Sequence, residues 1–259
     1  MSATLTHSWW LTVRQLRALW RQPWWIAISL AQPIIWLLLF GQLFRSIVEL
    51  PGFGSDSYAD FLTPGIVVMT AMFSGGWHGM GMLDDLDRGI LDRFLTSPSS
   101  RVALIAGPLA QLAIVTAIQT LIIVGLGVVV GADFAGGVPG VLVLIVAAVL
   151  LGTAVGALSI GLALVTRRQE TMIGAVQFVT LPLTFLSGAF MNLSLAPAWI
   201  ESIARFNPVN WAVEAGREAL TAEDVDWGMV GTRLGLLALL TVLCGWVATR
   251  AFRSYQRSV

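Results

Sequence analysis

The sequence predicts an all-α membrane protein: six transmembrane helices, an interfacial amphipathic helix before them, and a charged cytoplasmic helix between the second and third spans. Three observations predict it. Hydrophobic residues make up 56% of the 259 and charged residues only 12%, against roughly 25% charged in an ordinary soluble domain. Mean hydropathy is +0.80, so lipid rather than water must be the main solvent. Six apolar runs each reach the ~20 residues that a ~30 Å hydrocarbon core requires of a helix. Backbone groups in lipid must be satisfied within the segment or by barrel closure. The polar–apolar alternation of a barrel strand does not appear.

The N-terminal stretch 6–22 comes first. Trp9, Val13, Leu16 and Trp20 fall at i, i+4, i+7 and i+11, one face of a helix. Arg14, Gln15, Arg17 and Arg21 occupy other faces. Indoles such as those of Trp9, Trp10 and Trp20 settle at headgroup level, and arginine suits anionic lipid, so this helix is expected to lie on the membrane. Contact with a cytoplasmic partner is compatible with that. Pro23 marks a break before the first span. No small-residue cleavage site follows a short apolar core here, so the first run is expected to persist in the mature chain.

The spans are expected at 24–44, 61–83, 103–130, 138–165, 172–191 and 229–251. The third and fourth are the longest and can tilt. Pro182 should bend the fifth. Gly152, Gly156 and Gly161 are spaced for close helix packing, Gly125 and Gly127 more loosely; a substrate path lined by small residues is the alternative reading. Arginine sets the orientation, because the chain contains no lysine. Eleven arginines fall on one side: Arg14, Arg17, Arg21, Arg88, Arg93, Arg101, Arg167, Arg168, Arg250, Arg253 and Arg257. Four fall on the other: Arg45, Arg205, Arg217 and Arg233. The positive-inside rule puts both termini in the cytoplasm.

The loop after span two, 84–101, is the most informative cytoplasmic stretch. Leu91, Phe94 and Leu95 form an i, i+3, i+4 apolar patch among charges, and Ser97-Pro98 should end or turn the helix. Such a helix suits a groove on another protein; a solvated connector is the plainer reading. After span five comes Ser187-Gly188, then Pro197, then Asn207-Pro208-Val209-Asn210-Trp211, and finally Arg217. Pro197 and Pro208 break helices here, each apolar piece is too short to cross, and Trp199 and Trp211 suit the outer interface.

These stretches resemble the type-2 ABC exporter permease family. Asp87, Arg88, Gly89, Ile90, Leu91, Leu95, Ser97, Pro98 and Arg101 match its cytoplasmic motif, an acid–Arg–x–Gly–(Thr/Ile)–Leu–acid pattern leading to Leu-x-(Ser/Thr)-Pro and an arginine. Asp87 and Asp92 stand where the family often has glutamate. Ser187, Gly188, Pro197, Asn207, Pro208, Trp211 and Arg217 are similar to its outer motif. The wording looks closer to the drug-resistance subgroup, which resembles daunorubicin exporters, than to polysaccharide exporters. The resemblance implies that residues 195–220 form short re-entrant helices dipping into the outer leaflet. It implies that Asp87–Arg101, with Asp92 and Phe94, couples the spans to a separate nucleotide-binding subunit. A second permease copy is implied, and a drug-like or lipid-like cargo, with polysaccharide or glycolipid as the alternative.

Other functions are harder to place. A Walker loop ends in Gly-Lys-(Ser/Thr), so a chain without lysine cannot hold one. ATP and magnesium are therefore expected on the partner, and no cofactor, metal or catalytic residue is assigned here. Zero net charge offers no general attraction to nucleic acid. Asp84, Asp85, Asp87 and Asp92 raise the rival of a magnesium-dependent lipid-modifying enzyme. Their spacing is too compressed for the lipid phosphotransferase pattern, and Arg88 and Arg93 partly cancel the charge. An ion-driven carrier would need ionisable groups at mid-membrane, where the spans hold almost none. His78, inside a glycine-rich run of span two, reads as a packed, hydrogen-bonded histidine or as a pathway residue. Cys244, alone in an apolar run, reads as a small core residue.

Overall fold

The computed structural model describes residues 23–49, 53, 57–89 and 101–256. The predicted surface helix, with Trp9, Trp10, Arg14, Arg17 and Trp20, lies outside the described residues. So does the cytoplasmic stretch 90–100, with Ile90, Leu91, Asp92, Phe94, Leu95, Ser97 and Pro98. Among the described residues there are eight α-helices, two short 3-10 turns and no strand. The helices are α1 (Pro23–Leu43), α2 (Tyr58–Asp87), α3 (Arg101–Val130), α4 (Gly137–Thr166), α5 (Gln169–Phe185), α6 (Ala198–Ala204), α7 (Pro208–Thr221) and α8 (Trp227–Gln256).

Four of them are long and apolar enough to cross a membrane: Tyr58–Asp87, Ile105–Val130, Gly137–Thr166 and Trp227–Phe252. α1, at 21 residues, is as long as the first expected span, and its apolar stretch among the described residues runs from Leu30 to Leu43. The fifth expected span is shorter as helix. α5 has 17 residues, about 26 Å at 1.5 Å per residue. It stops at Phe185, six residues before the expected end at Met191.

One further boundary differs from expectation. Asp84–Asp87 continue α2 instead of opening a separate cytoplasmic helix. The break comes at Gly89, whose φ of +64° ends the helix in the left-handed region. α1 is described from Pro23 onward, so the expected break before the first span falls at the edge of the described residues.

α4 is the central rod. Its mostly small buried face, including Gly140, Ala147, Ala148, Gly152, Ala154 and Gly156, admits close neighbours. α2, α3, α7 and α8 pack around it. A Cβ at Gly75 of α2 would collide with the Gly152 carbonyl, and one at Gly140 with the Ala219 carbonyl of α7. Lipid gives helices little hydrophobic reason to associate, so such backbone-to-backbone contact is what holds them. Of the looser glycine pair, Gly127 meets Thr63 and Phe134, whereas Gly125 faces open space.

α5 is held along one stripe only. Met172, Val176, Thr180 and Thr184 are buried at intervals of four, while Phe178 is 82% and Phe185 62% exposed. Buried threonines hide their hydroxyls by donating one turn back: Thr63 to Ala59, Thr70 to Ile66, Thr120 to Thr116 and Thr184 to Thr180. That arrangement lets a polar residue sit in an apolar core without an orphaned group.

Candidate functional site

The end of α5 explains the outer motif. The last carbonyls of any helix lack intrahelical partners, and in an apolar setting they need other donors. The Leu186 N–H supplies the Pro182 carbonyl at 2.8 Å. The Asn207 Nδ2 donates to both Leu183 O, at 2.7 Å, and Leu186 O, at 2.8 Å. The Ser187 hydroxyl supplies Thr184 O at 2.6 Å. Arg217 Nη2 reaches Gly188 O at 2.8 Å, and the Gly188 N–H donates to Asn210 Oδ1 at 2.9 Å. The motif is thus a set of side chains that cap a helix ending early.

Asn207 works in both directions. Its Oδ1 accepts the Val209 N–H at 2.9 Å as the N-cap of α7, with Pro208 in the first turn. Along α7, Asn207, Asn210, Glu214 and Arg217 fall at i, i+3, i+7 and i+10, so all four share one face. Asn210 Nδ2 donates to Glu214 Oε1 at 2.8 Å. Glu214 Oε2 pairs with Arg233 Nε of α8 at 2.7 Å.

Arg217 ties this face to α2. Its Nε and Nη2 donate to the Phe61 carbonyl at 3.2 and 2.9 Å. Its guanidinium carbon sits 3.6 Å from the centre of the Phe61 ring, a cation–π geometry. Burial pushes the Arg217 guanidinium down to about 9, and the Glu214 carboxylate opposes the shift. The group stays cationic at neutral pH, held by carbonyls and a ring rather than by a direct carboxylate.

The clasp therefore joins the start of α2, the end of α5 and α7. Aromatic rings extend it to α1. Trp36 and Phe40 lie 5.5 and 5.9 Å from the Phe190 ring, and Phe44 lies 5.9 Å from Tyr58. The Tyr58 hydroxyl donates to Phe190 O at 3.0 Å.

The other outer-motif residues flank the clasp. Pro197 precedes α6, whose face continues in Trp199, Ile203 and Phe206, 59%, 43% and 81% exposed. The Trp211 indole N–H donates to Arg205 O at 2.7 Å, fixing the corner between α6 and α7.

At the far end of α2, about 45 Å away for a 30-residue helix, lies the turn that begins the first motif. Asp87 ends α2, and the Arg88 N–H caps it onto the Asp84 carbonyl at 3.1 Å. Asp84, Asp87 and Arg88 are exposed. Arg101, the last residue of that motif, is the first described residue of α3.

The structure thus brings Ser187, Gly188, Asn207 and Arg217 together, leaves Pro197 and Trp211 at the edge, and sets Asp87–Gly89 apart. Sequence reasoning missed Phe61, Asn210, Glu214 and Arg233 as members. The helical spacing 207, 210, 214, 217 was the available signal for two of them. No group of three or more His, Cys, Asp or Glu able to hold a metal occurs among the described residues. His78, read as a packed, hydrogen-bonded histidine or as a pathway residue, makes a hydrogen bond to the Pro108 backbone and keeps a buried Nε2 without a partner.

The profile of a family described as ABC-2 type transporter matches residues 6–221. The chain is 29% identical over 256 residues to the daunorubicin resistance ABC transporter permease protein DrrB1 of Streptomyces coeruleorubidus, covering 98% of this chain and 87% of that one. It is 27% identical to the putative transport permease ycf38 of Porphyra purpurea, covering 94% and 88%. It is 24% identical to the probable doxorubicin resistance ABC transporter permease protein DrrC of Mycobacterium tuberculosis, covering 89% and 81%. The family match spans well over half the chain and takes in both motifs, so this integral membrane protein belongs to the ABC-2 type transporter family and is a transmembrane permease subunit of an ABC exporter.

Proposed function

We propose that this permease crosses the membrane six times, with α1 and α5 joining the four long helices, and exports a hydrophobic or amphipathic cargo. In this reading α6 and α7 form an outer re-entrant hairpin, and both termini face the cytoplasm of a bacterial-type membrane. A separate ATPase subunit, carrying the ATP and magnesium, docks on the Asp87–Arg101 segment and on the N-terminal surface helix. Two permease copies enclose the path. Drug-like molecules are the favoured cargo because relatives along nearly the whole chain are named for daunorubicin and doxorubicin resistance.

One observation carries the reading. α2 is a continuous helix with the Arg217 clasp at one end and the exposed Asp87–Arg88–Gly89 turn at the other. A push received at that turn reaches the outer end of the membrane through a single helix. ATP acts only through its differential affinity for the states of the complex, so the turn must report which state the ATPase is in.

The test is co-purification of the tagged permease with its ATPase subunit. The reading expects the ATPase to be recovered with the wild type and lost with Arg88→Glu. Equal recovery with both proteins would remove the turn from the interface.

A further inference from the structure

About two-thirds of the way along its length α2 meets α4 in an unusual way. The Ser159 hydroxyl of α4 accepts the Gly79 N–H of α2 at 3.0 Å and donates to the Gly76 carbonyl of the same turn. One side chain thus enters the backbone ladder of a neighbouring helix. An N–H has a single proton, and its helical acceptor here would be the Gly75 carbonyl, so Ser159 competes for it. The glycines make this approach possible. A Cβ at Gly79 would collide with the Ser159 carbonyl, and one at Gly75 with the Gly152 carbonyl.

The opposite side of the same turn is different. Gly76 faces α5 through the Val176 methyls, where an added Cβ would sit 2.9 Å from Cγ1. The Thr184 hydroxyl contacts Met72 Sδ at 3.9 Å, a weak bond. At its outer end, by contrast, α5 is held by the Asn207 amide on Leu183 and Leu186.

We propose that Ser159 is a positioning residue for transport: it fastens α2 to α4 as one rigid body, against which α5 swings about its outer clasp. Water does not compete for these bonds within the membrane, so the fastening is firm, whereas among the described residues α5 meets α2 at this turn through van der Waals and sulfur contacts. A push at the Asp87–Gly89 turn then moves α2 and α4 together, instead of being absorbed by bending the glycine-rich turn. The displacement appears between α2 and α5.

This inference rests on the proposed ATPase coupling, and its test separates the two. Wild-type complex, reconstituted with its ATPase subunit, is spin-labelled at exposed Gly81 with Val165 of α4, or at Gly81 with Ile173 of α5. Pulsed dipolar distances are compared without nucleotide and with trapped ATP. The Gly81–Val165 distribution should stay fixed while the Gly81–Ile173 distribution shifts. Ser159→Ala removes the hydroxyl without adding volume. It should let the first distance move, and it should lower cargo moved per ATP hydrolysed by at least about fivefold, the lower end of ordinary coupling free energies. Gly79→Ala, which drives the helices apart, should do the same, while exposed Leu158→Ala should match wild type. Failure of the wild type to transport with ATP would overturn the exporter reading itself. A transporting wild type whose first distance shifts, or a Ser159→Ala protein with wild-type distances and coupling ratio, would overturn the fastening alone.

Discussion

Replacing Asn207 by aspartate separates the two jobs of this side chain. Aspartate is as good an N-cap as asparagine, worth about 1 kcal/mol over alanine. If capping α7 were the whole of its role, the variant would be neutral. But the amide Nδ2 also supplies Leu183 O and Leu186 O, and a carboxylate offers acceptors where two donors are needed. Each buried carbonyl left without a donor costs about 1–3 kcal/mol. The pair should therefore cost about 4 kcal/mol, before the repulsion of like-signed oxygens is added. At roughly 2–4 °C per kcal/mol for a chain of this size, the unfolding midpoint should fall by roughly 10 °C. The assay is the folded fraction recovered by size exclusion in detergent after heating. Asn207→Ala, which loses the cap as well, should fall at least as far. An Asn207→Asp protein as stable as wild type would refute the argument that this motif exists to close the end of α5.

Three further outcomes follow from the same structure. Gly89→Val forces a branched side chain into the left-handed region at φ +64°, where an L-residue costs about 1–2 kcal/mol. ATPase-driven transport should drop while membrane insertion, read by fractionation, stays intact. Arg217→Lys keeps the charge but cannot reach Phe61 O and Gly188 O together; heat stability should fall by roughly 1.5–3 kcal/mol, the range of lost charged hydrogen bonds, and a protein of wild-type stability would show the fork is dispensable. Single cysteines in a Cys244→Ser background should label from outside at Asp133 and from the cytoplasm at either terminus, and the opposite pattern would refute the orientation.

The membrane class and the positions of the long helices were legible because composition and run length are properties of the chain alone. α2, α3, α4 and α8 lie where the apolar runs place them. The end of α5 was not legible. Leu186, Ala189 and Phe190 are as apolar as the helix before them, so hydropathy runs on while the backbone turns. What stops the helix is a donor set from Asn207, Ser187 and Arg217, contacts that sequence spacing cannot reveal. The far end of α2 failed for the opposite reason. Asp84, Asp85 and Asp87 read by charge as the start of a separate helix, yet α2 runs on through Asp87 and turns at Gly89. Pro182, expected to bend the fifth span, lies three residues before the end of α5. The resemblance found the clasp residues as a string of letters. Only the helical face of α7 turns that string into a site, and it adds Asn210 and Glu214. The Ser159 contact has no signal of its own, because a serine among small residues in a span reads as ordinary packing.

The most direct test of the whole account is uptake of a fluorescent amphipathic cargo by proteoliposomes holding this permease with and without its ATPase subunit. The account predicts uphill movement only with the subunit and ATP both present, and none with a hydrolysis-dead subunit. Concentrative transport by the permease alone, in vesicles free of any nucleotide-hydrolysing protein, would contradict it.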